Sequence, residues 1–335
     1  MISFRLFRFF ILLFITLLLT TSAYSQSVIT KLTSFIHGDS AIIRLVQFLN
    51  QDTGYAIGLY DNSNGGFLAK TINGGYNWDT REIDFDAVYG MIFFNSYEGI
   101  ICGEKLNKGV IQITTNSGIN WSKYFFEDTS ALLDIFFVNE NIGYVTCKFS
   151  NGFKIYKTNN RGSNWELLTK SKVEDMFVVN FSNGVGIVLG NNQTGGYILV
   201  TKNGGLEWSE VNIPYSHIYS GQVISANKLI VCGYNINHNG LILKSIDYGE
   251  NWYKLWESED SFSSVTKIFF PSTEIGYAIG NGFEGGFILK TSDSGRSWIK
   301  ENIGFTPTCM YVIDEKNCFI GTRGGALLKI ATKVN

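Results

Sequence analysis

Proline is nearly missing from this 335-residue chain, with three copies, and only three histidines and five cysteines occur. So little proline excludes collagen-like and polyproline architecture. Charged residues make up 17% against 45% hydrophobic, which excludes intrinsic disorder and coiled coil. The formal net charge of −2 leaves no basic field to hold nucleic acid. His37, His217 and His238 stand isolated in sequence, and no cysteine spacing matches a zinc site. The five cysteines, Cys102, Cys147, Cys232, Cys309 and Cys318, are too few and odd in number for a disulfide framework. Buried free thiols are expected. No phosphate-binding or dinucleotide fingerprint occurs, because the Gly-Gly pairs at 65–66, 195–196, 285–286 and 324–325 open strands and not helices. Neither metal nor cofactor is expected.

What is plentiful is glycine, at 36 copies, and aromatic residues, at 15%. That combination predicts many short strands joined by tight turns. The first 25 residues differ from the rest. Arg5 and Arg8 precede an apolar run from Phe9 to Leu19, and Ala23-Tyr24-Ser25 places small residues at −3 and −1 of a cut before Gln26. This is the layout of a secretory signal peptide, and its core is too short for a spanning helix. The expectation is a periplasmic or extracellular protein of residues 26–335 with no stable membrane insertion after cleavage. Loss of the two arginines moves the formal charge from −2 to −4.

A repeat organises the remainder. Six of the seven tryptophans, Trp78, Trp121, Trp165, Trp208, Trp252 and Trp298, lie 43, 44, 43, 44 and 46 residues apart. Each closes one eight-residue pattern: Ser/Thr, any, Asn/Asp, any, Gly, any, any, Trp. The first copy is TINGGYNW at 71–78 and the last TSDSGRSW at 291–298. An apolar strand (VQFLN, MIFFN, IFFVN, KIFFP) precedes each box, followed by a second such as GYAIG at 54–58 and 276–280. A third runs into the box, as in GGFILKT at 285–291, where Phe287 and Leu289 point one way and Ile288 and Lys290 the other. A fourth follows the tryptophan. Four short strands in about 44 residues is the unit of a β-propeller blade.

The pattern resembles the Asp-box, or bacterial neuraminidase, repeat. Its chemistry is structural. Asn73, Asn116, Asn160, Asn203, Asp247 and Asp293 can accept backbone N–H bonds and hold an Asx-type turn. Gly75, Gly118, Gly162, Gly205, Gly249 and Gly295 can supply positive φ. The tryptophan fills the gap between neighbouring sheets. Trp256, outside any box, lies four residues after Trp252, and even spacing on a strand predicts that both share one face.

Six complete units span about 42–304. The remainder, 308–331, supplies three strands without a box, and residues 27–36 read as the missing outer strand. The expected fold is therefore all-β: one seven-bladed propeller of four-stranded blades, its seventh blade closed by the N-terminal strand, which removes an open edge. A six-bladed ring with separate end segments is the alternative. Cys102 and Cys232 then occupy the same second-strand position in distant blades. Cys318 is expected to face about Ile313, not Cys309, so no bridge is expected.

Seven such blades behind a signal peptide are similar to the photosystem II stability and assembly factor propellers, over essentially the whole mature chain. The GYAIG-type strand and the K-T-x-[ND]-x-G-x-x-W hairpin carry the similarity. The resemblance implies a non-enzymatic assembly factor that binds a client protein. Photosynthetic members have an arginine patch on one face. Here Arg44, Arg81, Arg161, Arg296 and Arg323 do not cluster in sequence, so a protein client is expected without the photosystem link.

The enzyme alternative is a sialidase-like glycosidase, and a glycan-binding ring without catalysis is a third reading. Sialidases need an arginine cluster and usually an Arg-Ile-Pro opening, and neither is present. Glu104 and Glu284 sit in equivalent loops, but glycosidases need two carboxyl groups about 5–10 Å apart. A partner is expected on loops joining second to third strands, opposite the boxes. These begin near Tyr60, Lys105, Phe149, Tyr234, Phe283 and Arg323, residue types that interfaces favour.

Overall fold

The structure, a computed structural model, describes residues 27–34, 41–60, 65–150, 152–171, 176–214, 216–314 and 317–332. The expected signal peptide, residues 35–36 of the N-terminal strand, His37 and most of the turn at 314–316 lie outside the described residues. So does the side chain of Phe177.

The described residues form 28 strands in seven four-stranded antiparallel sheets. β1 (Ser27–Ser34) comes first. Blade 1 holds β2 (Ala41–Phe48), β3 (Gly54–Tyr60), β4 (Gly66–Thr71) and β5 (Asp79–Ile83). Blade 2 holds β6 (Ala87–Phe93), β7 (Gly99–Lys105), β8 (Lys108–Thr114) and β9 (Ser122–Phe125). Blade 3 holds β10 (Ala131–Phe137), β11 (Gly143–Phe149), β12 (Gly152–Thr158) and β13 (Glu166–Ser171). Blade 4 holds β14 (Met176–Ser182), β15 (Val185–Asn192), β16 (Gly195–Thr201) and β17 (Ser209–Pro214). Blade 5 holds β18 (Ser216–Ser225), β19 (Lys228–Asn235), β20 (Gly240–Ser245) and β21 (Tyr253–Glu257). Blade 6 holds β22 (Ser264–Phe269), β23 (Gly276–Gly282), β24 (Gly285–Thr291) and β25 (Ile299–Asn302). Blade 7 holds β26 (Pro307–Asp314), β27 (Asn317–Thr322) and β28 (Ala326–Thr332). β1 pairs with β28 from Ser27↔Thr332 to Ser34↔Ala326, so the N-terminal strand completes the seventh blade.

Alternation along each strand splits its apolar side chains between two junctions, and seven separate cores result, one per pair of neighbouring blades. Phe287 and Leu289 enter the core between blades 5 and 6, and Ile288 the core between blades 6 and 7. Each box tryptophan packs, half-buried, against the preceding blade. Trp78 joins the core between blades 7 and 1, edge-on to Phe48, and Trp208 that between blades 3 and 4, edge-on to Phe181.

The boxes explain their own sequence. In the first, Thr71 Oγ1 accepts the Gly75 N–H at 3.0 Å while Asn73 Oδ1 accepts the Asn77 N–H at 2.9 Å. The pattern recurs in all six, as with Gly205 and Glu207 donating to Thr201 and Asn203. Gly75 has φ +94° and a Cβ there would meet Leu32 at 2.8 Å, so conformation and close approach both demand glycine. The indole N–H of Trp78, Trp121 and Trp208 donates to the box glycine carbonyl.

The structure differs from two sequence expectations. Trp256 does not share a face with Trp252. A bulge between Ile242↔Trp256 and Leu243↔Lys254 makes Leu255 an extra residue and reverses the alternation. Trp252 therefore packs between blades 4 and 5, and Trp256 between blades 5 and 6. Cys318 pairs with Val312, one residue from the expected Ile313, because a register shift falls between Val312 and Asp314. All five cysteines are buried and free, and burial pushes Cys309 and Cys318 up to about 12, which leaves them inert as thiols.

The innermost strands, β2, β6, β10, β14, β18, β22 and β26, line the axis. Each is bulged at one equivalent position: Arg44, Tyr89, Leu133, Phe177, Tyr219, Thr266 and Thr308. Polar side chains tie successive inner strands together. Gln47 donates to the Phe93 carbonyl and accepts its N–H, Gln222 does the same with Phe270, and Asp134 and Asn180 accept the Val179 and Val223 N–H groups.

Candidate functional site

A blade whose strands alternate in direction puts its 1–2 and 3–4 turns on one face and its 2–3 turn on the other. Backbone bonds confirm the division. Gly74 of the first box donates to Asp52 in the 1–2 turn of the same blade, and Gly204 to Gly184 likewise. On the opposite face, 2–3 loops bond to the links between blades: Ser258 N–H to the Gly240 carbonyl, Ser263 N–H to that of His238, and Arg323 N–H to that of Thr306.

The six residues singled out in sequence all lie on this opposite face, but in different settings. Tyr60 is half-buried and packs on Phe67, ring centroids 5.5 Å apart. Lys105 is engaged: its ammonium lies 2.9 Å from Asp84 and 3.0 Å from Asp86. Lys123 and Lys105 together hold the Asp84 carboxyl down at about 2. Phe149 lies under the Lys154 ammonium at 5.3 Å. Phe283 is 92% exposed. Arg323 is exposed and bridges through its backbone to Ile42, which brings it beside the exposed bulge residue Arg44 at the junction of blades 7 and 1. No ion pair joins either arginine to a described residue.

Tyr234 is the member that gathers others. His217 stacks on it with centroids 5.0 Å apart and planes 15° apart, and His238 at 5.3 Å and 19°. Phe262 continues the series, 6.0 Å and 9° from His238, and Tyr219 leans on Tyr234 at 5.6 Å. The expectation of isolated histidines is thus overturned for His217 and His238, which the β18–β19 ladder and the following loop bring to one tyrosine. The rings form a stack and not a convergent ligand set, and the described residues contain no group of three metal-ligating side chains. Beside the stack, a cleft of about 520 Å³ opens between the blade 4 and blade 5 loops. It includes Gln193 and Thr194, in the one 2–3 loop from which no candidate was drawn in sequence. Alternation on β18, with His217 and Tyr219 exposed between buried Ser216, Ile218 and Ser220, is the signal that was available.

Glu104 lies in blade 2 and Glu284 in blade 6, with blades 7 and 1 between them, so no paired carboxylates result. Inside the channel the Asp134 carboxyl is raised to about 6. Burial is the main cause, opposed by the Val179 N–H and the Lys267 ammonium. A second cleft, about 570 Å³ on the box face, is lined by Lys70 and Arg81, but Lys70 already donates to the Ser96 carbonyl and Ser117 Oγ.

No family model and no curated protein matches this chain. Solved structures do. A propeller described as YCF48 bound to D1 peptide is 18% identical, with a TM-score of 0.70, covering 94% of this chain and all of that one. YCF48 from Cyanidioschyzon merolae is 15% identical with a TM-score of 0.67, covering 90% and 98%. A GH74 xyloglucanase from Xanthomonas campestris is 11% identical with a TM-score of 0.64, covering 90% of this chain and 53% of the enzyme. The chain thus shares the propeller fold of the YCF48 proteins end to end, and the same fold also carries enzymes.

Proposed function

We propose that this protein is an exported, non-enzymatic propeller that holds a segment of a client protein on the face opposite its boxes. The observation that carries the reading is its match, over 94% of its length, to a propeller bound to a peptide. The face itself supports it. Arg44 and Arg323 offer two exposed guanidinium groups at blades 7 and 1, while Phe283 presents an apolar ring at blade 6. An extended peptide with an acidic end and an apolar stretch fits that polarity. The N-terminal 25 residues supply the export signal, and neither metal nor cofactor takes part.

The test is photo-crosslinking in the native host, with a photoreactive amino acid at Phe283 or, as control, at Ile72 on the box face. One protein crosslinked from position 283 and not from 72, and lost on Arg44→Glu with Arg323→Glu, supports the proposal. Equal crosslinking from both faces, or none, rejects it.

A further inference from the structure

The cleft between blades 4 and 5 has a composition unlike that of the rest of its face. None of its lining residues is Asp, Glu, Lys or Arg. The lining is instead amide, hydroxyl, imidazole and phenol, with Ile236 as its one large aliphatic residue. Among the described residues, no side-chain hydrogen bond engages Gln193, His217 or His238, so their donors and acceptors are open to a ligand.

The aromatic series is open in a second sense. In the cores, face-to-face pairs lie close: Tyr55–Phe93 at 3.5 Å, Phe48–Phe319 and Tyr144–Phe181 at 3.7 Å. In the series His217–Tyr234–His238–Phe262 the planes are nearly parallel, yet centroids lie 5.0–6.0 Å apart. Rings so spaced do not eclipse one another, and each leaves part of its face uncovered. Phe262, at the end, is 79% exposed.

Backbone geometry is a third, independent observation. His238 has φ +58° and Phe262 φ +60°. Histidine enters that region more readily than most side chains, but it is costly for a bulky ring such as that of Phe262. The turn bearing Phe262 is nonetheless fixed to the loop bearing His238. Ser263 N–H donates to the His238 carbonyl at 2.9 Å, and Gly240 N–H to Ser263 Oγ at 2.8 Å. The rings are therefore held in place before any ligand arrives.

We infer that this cleft and its aromatic series form a binding site for an uncharged oligosaccharide. A pyranose ring has an apolar C–H face and a rim of hydroxyl groups. The C–H face covers the exposed ring steps of His238 and Phe262, while Gln193, His217 and Tyr234 exchange hydrogen bonds with the rim. Charge decides against the other ligand classes: no cation or carboxylate lines the cleft, and the nearest charges, Glu257 and Lys254, are paired with each other, with Glu257 also accepting from Asn235. The site is separate from the Arg44–Arg323 end of the face and from the peptide reading.

The experiment is titration calorimetry of purified residues 26–335 with neutral hexasaccharides of β-1,4-glucose, β-1,4-xylose, β-1,4-mannose, β-1,4-N-acetylglucosamine and α-1,4-glucose. A hexagalacturonate and a proline-rich decapeptide are the controls. One neutral series binding more tightly with chain length, and weakened at least tenfold by Phe262→Ala and by His238→Ala with melting temperature unchanged, is the expected result. Val28→Ala, remote on β1, should leave binding as it was. No neutral sugar bound at millimolar concentration, binding indifferent to both substitutions, or preference for the acidic sugar or the peptide overturns the inference.

Discussion

The Gly233 Cα stands so close to the His217 carbonyl that a Cβ built on it would lie 1.7 Å from that oxygen. The approach occurs where β18 bulges at Tyr219, between Ile218↔Gly233 and Ser220↔Cys232. Gly233 thus permits the bulge that turns His217 and Tyr219 toward Tyr234. Gly233→Ala forces the two strands apart and should cost about 1–3 kcal/mol, as overpacking does. Urea denaturation reads the loss, and the tyrosine near-ultraviolet signal should change with it.

Trp208→Ala removes a ring that packs edge-on to Phe181 and donates to the Gly205 carbonyl. Because the ring is half-buried, the cost should fall near the low end of the range for aromatic truncation, about 3 kcal/mol. Phe283→Ala is the matched control, with less than about 0.5 kcal/mol expected at so exposed a position. Tyr60 is unsuitable for that purpose, since it packs on Phe67. Equal melting temperatures for the Trp208 variant and wild type would remove the tryptophans from the account of stability.

Thr201→Val keeps shape but deletes the acceptor for the Asn203 and Gly205 N–H groups. The Gly205 donor is left buried and unpaired, at about 1–3 kcal/mol. Thr201→Ser, which retains the hydroxyl, should recover most of the loss in thermal melts.

Asp134 couples stability to pH. Its folded value of about 6 lies above the ordinary carboxyl value of 3.8, so the folded state holds the proton more tightly than the unfolded chain. The contribution is present below pH 4 and is lost as pH rises through 6. Asp134→Asn should abolish that slope in denaturation curves measured from pH 4 to 7. Lys267→Met, which takes away a cation that lowers the Asp134 value, should move the carboxyl titration upward when followed by carbon NMR.

Removing residues 1–40 deletes β1 and exposes the edge of β28 along its whole pairing register. Lower thermal stability and concentration-dependent association in light scattering are expected, because an uncovered edge pairs with other chains. An unchanged molecular mass with unchanged melting would mean that the ring does not depend on this closure.

The ring is legible in the residues alone. Box chemistry is local: Thr71, Asn73, Gly75 and Trp78 act on one another within a single turn, so their spacing alone reports the hairpin, and six copies report the blades. Blade closure was legible too, since the boxless remainder lacks one strand and the N-terminus offers one. Tertiary structure alone decided what depends on bulges and on contacts between separate loops. The extra residue Leu255 sends Trp252 and Trp256 into different cores, which period-two counting does not register. Lys105, a partner-contact candidate by sequence, is held by Asp84 and Asp86 from the preceding link. His217, Tyr234, His238 and Phe262 come from an inner strand, a second strand, a loop and an interblade link. They meet because the ring folds those segments onto one face, and nothing in their spacing encodes that meeting.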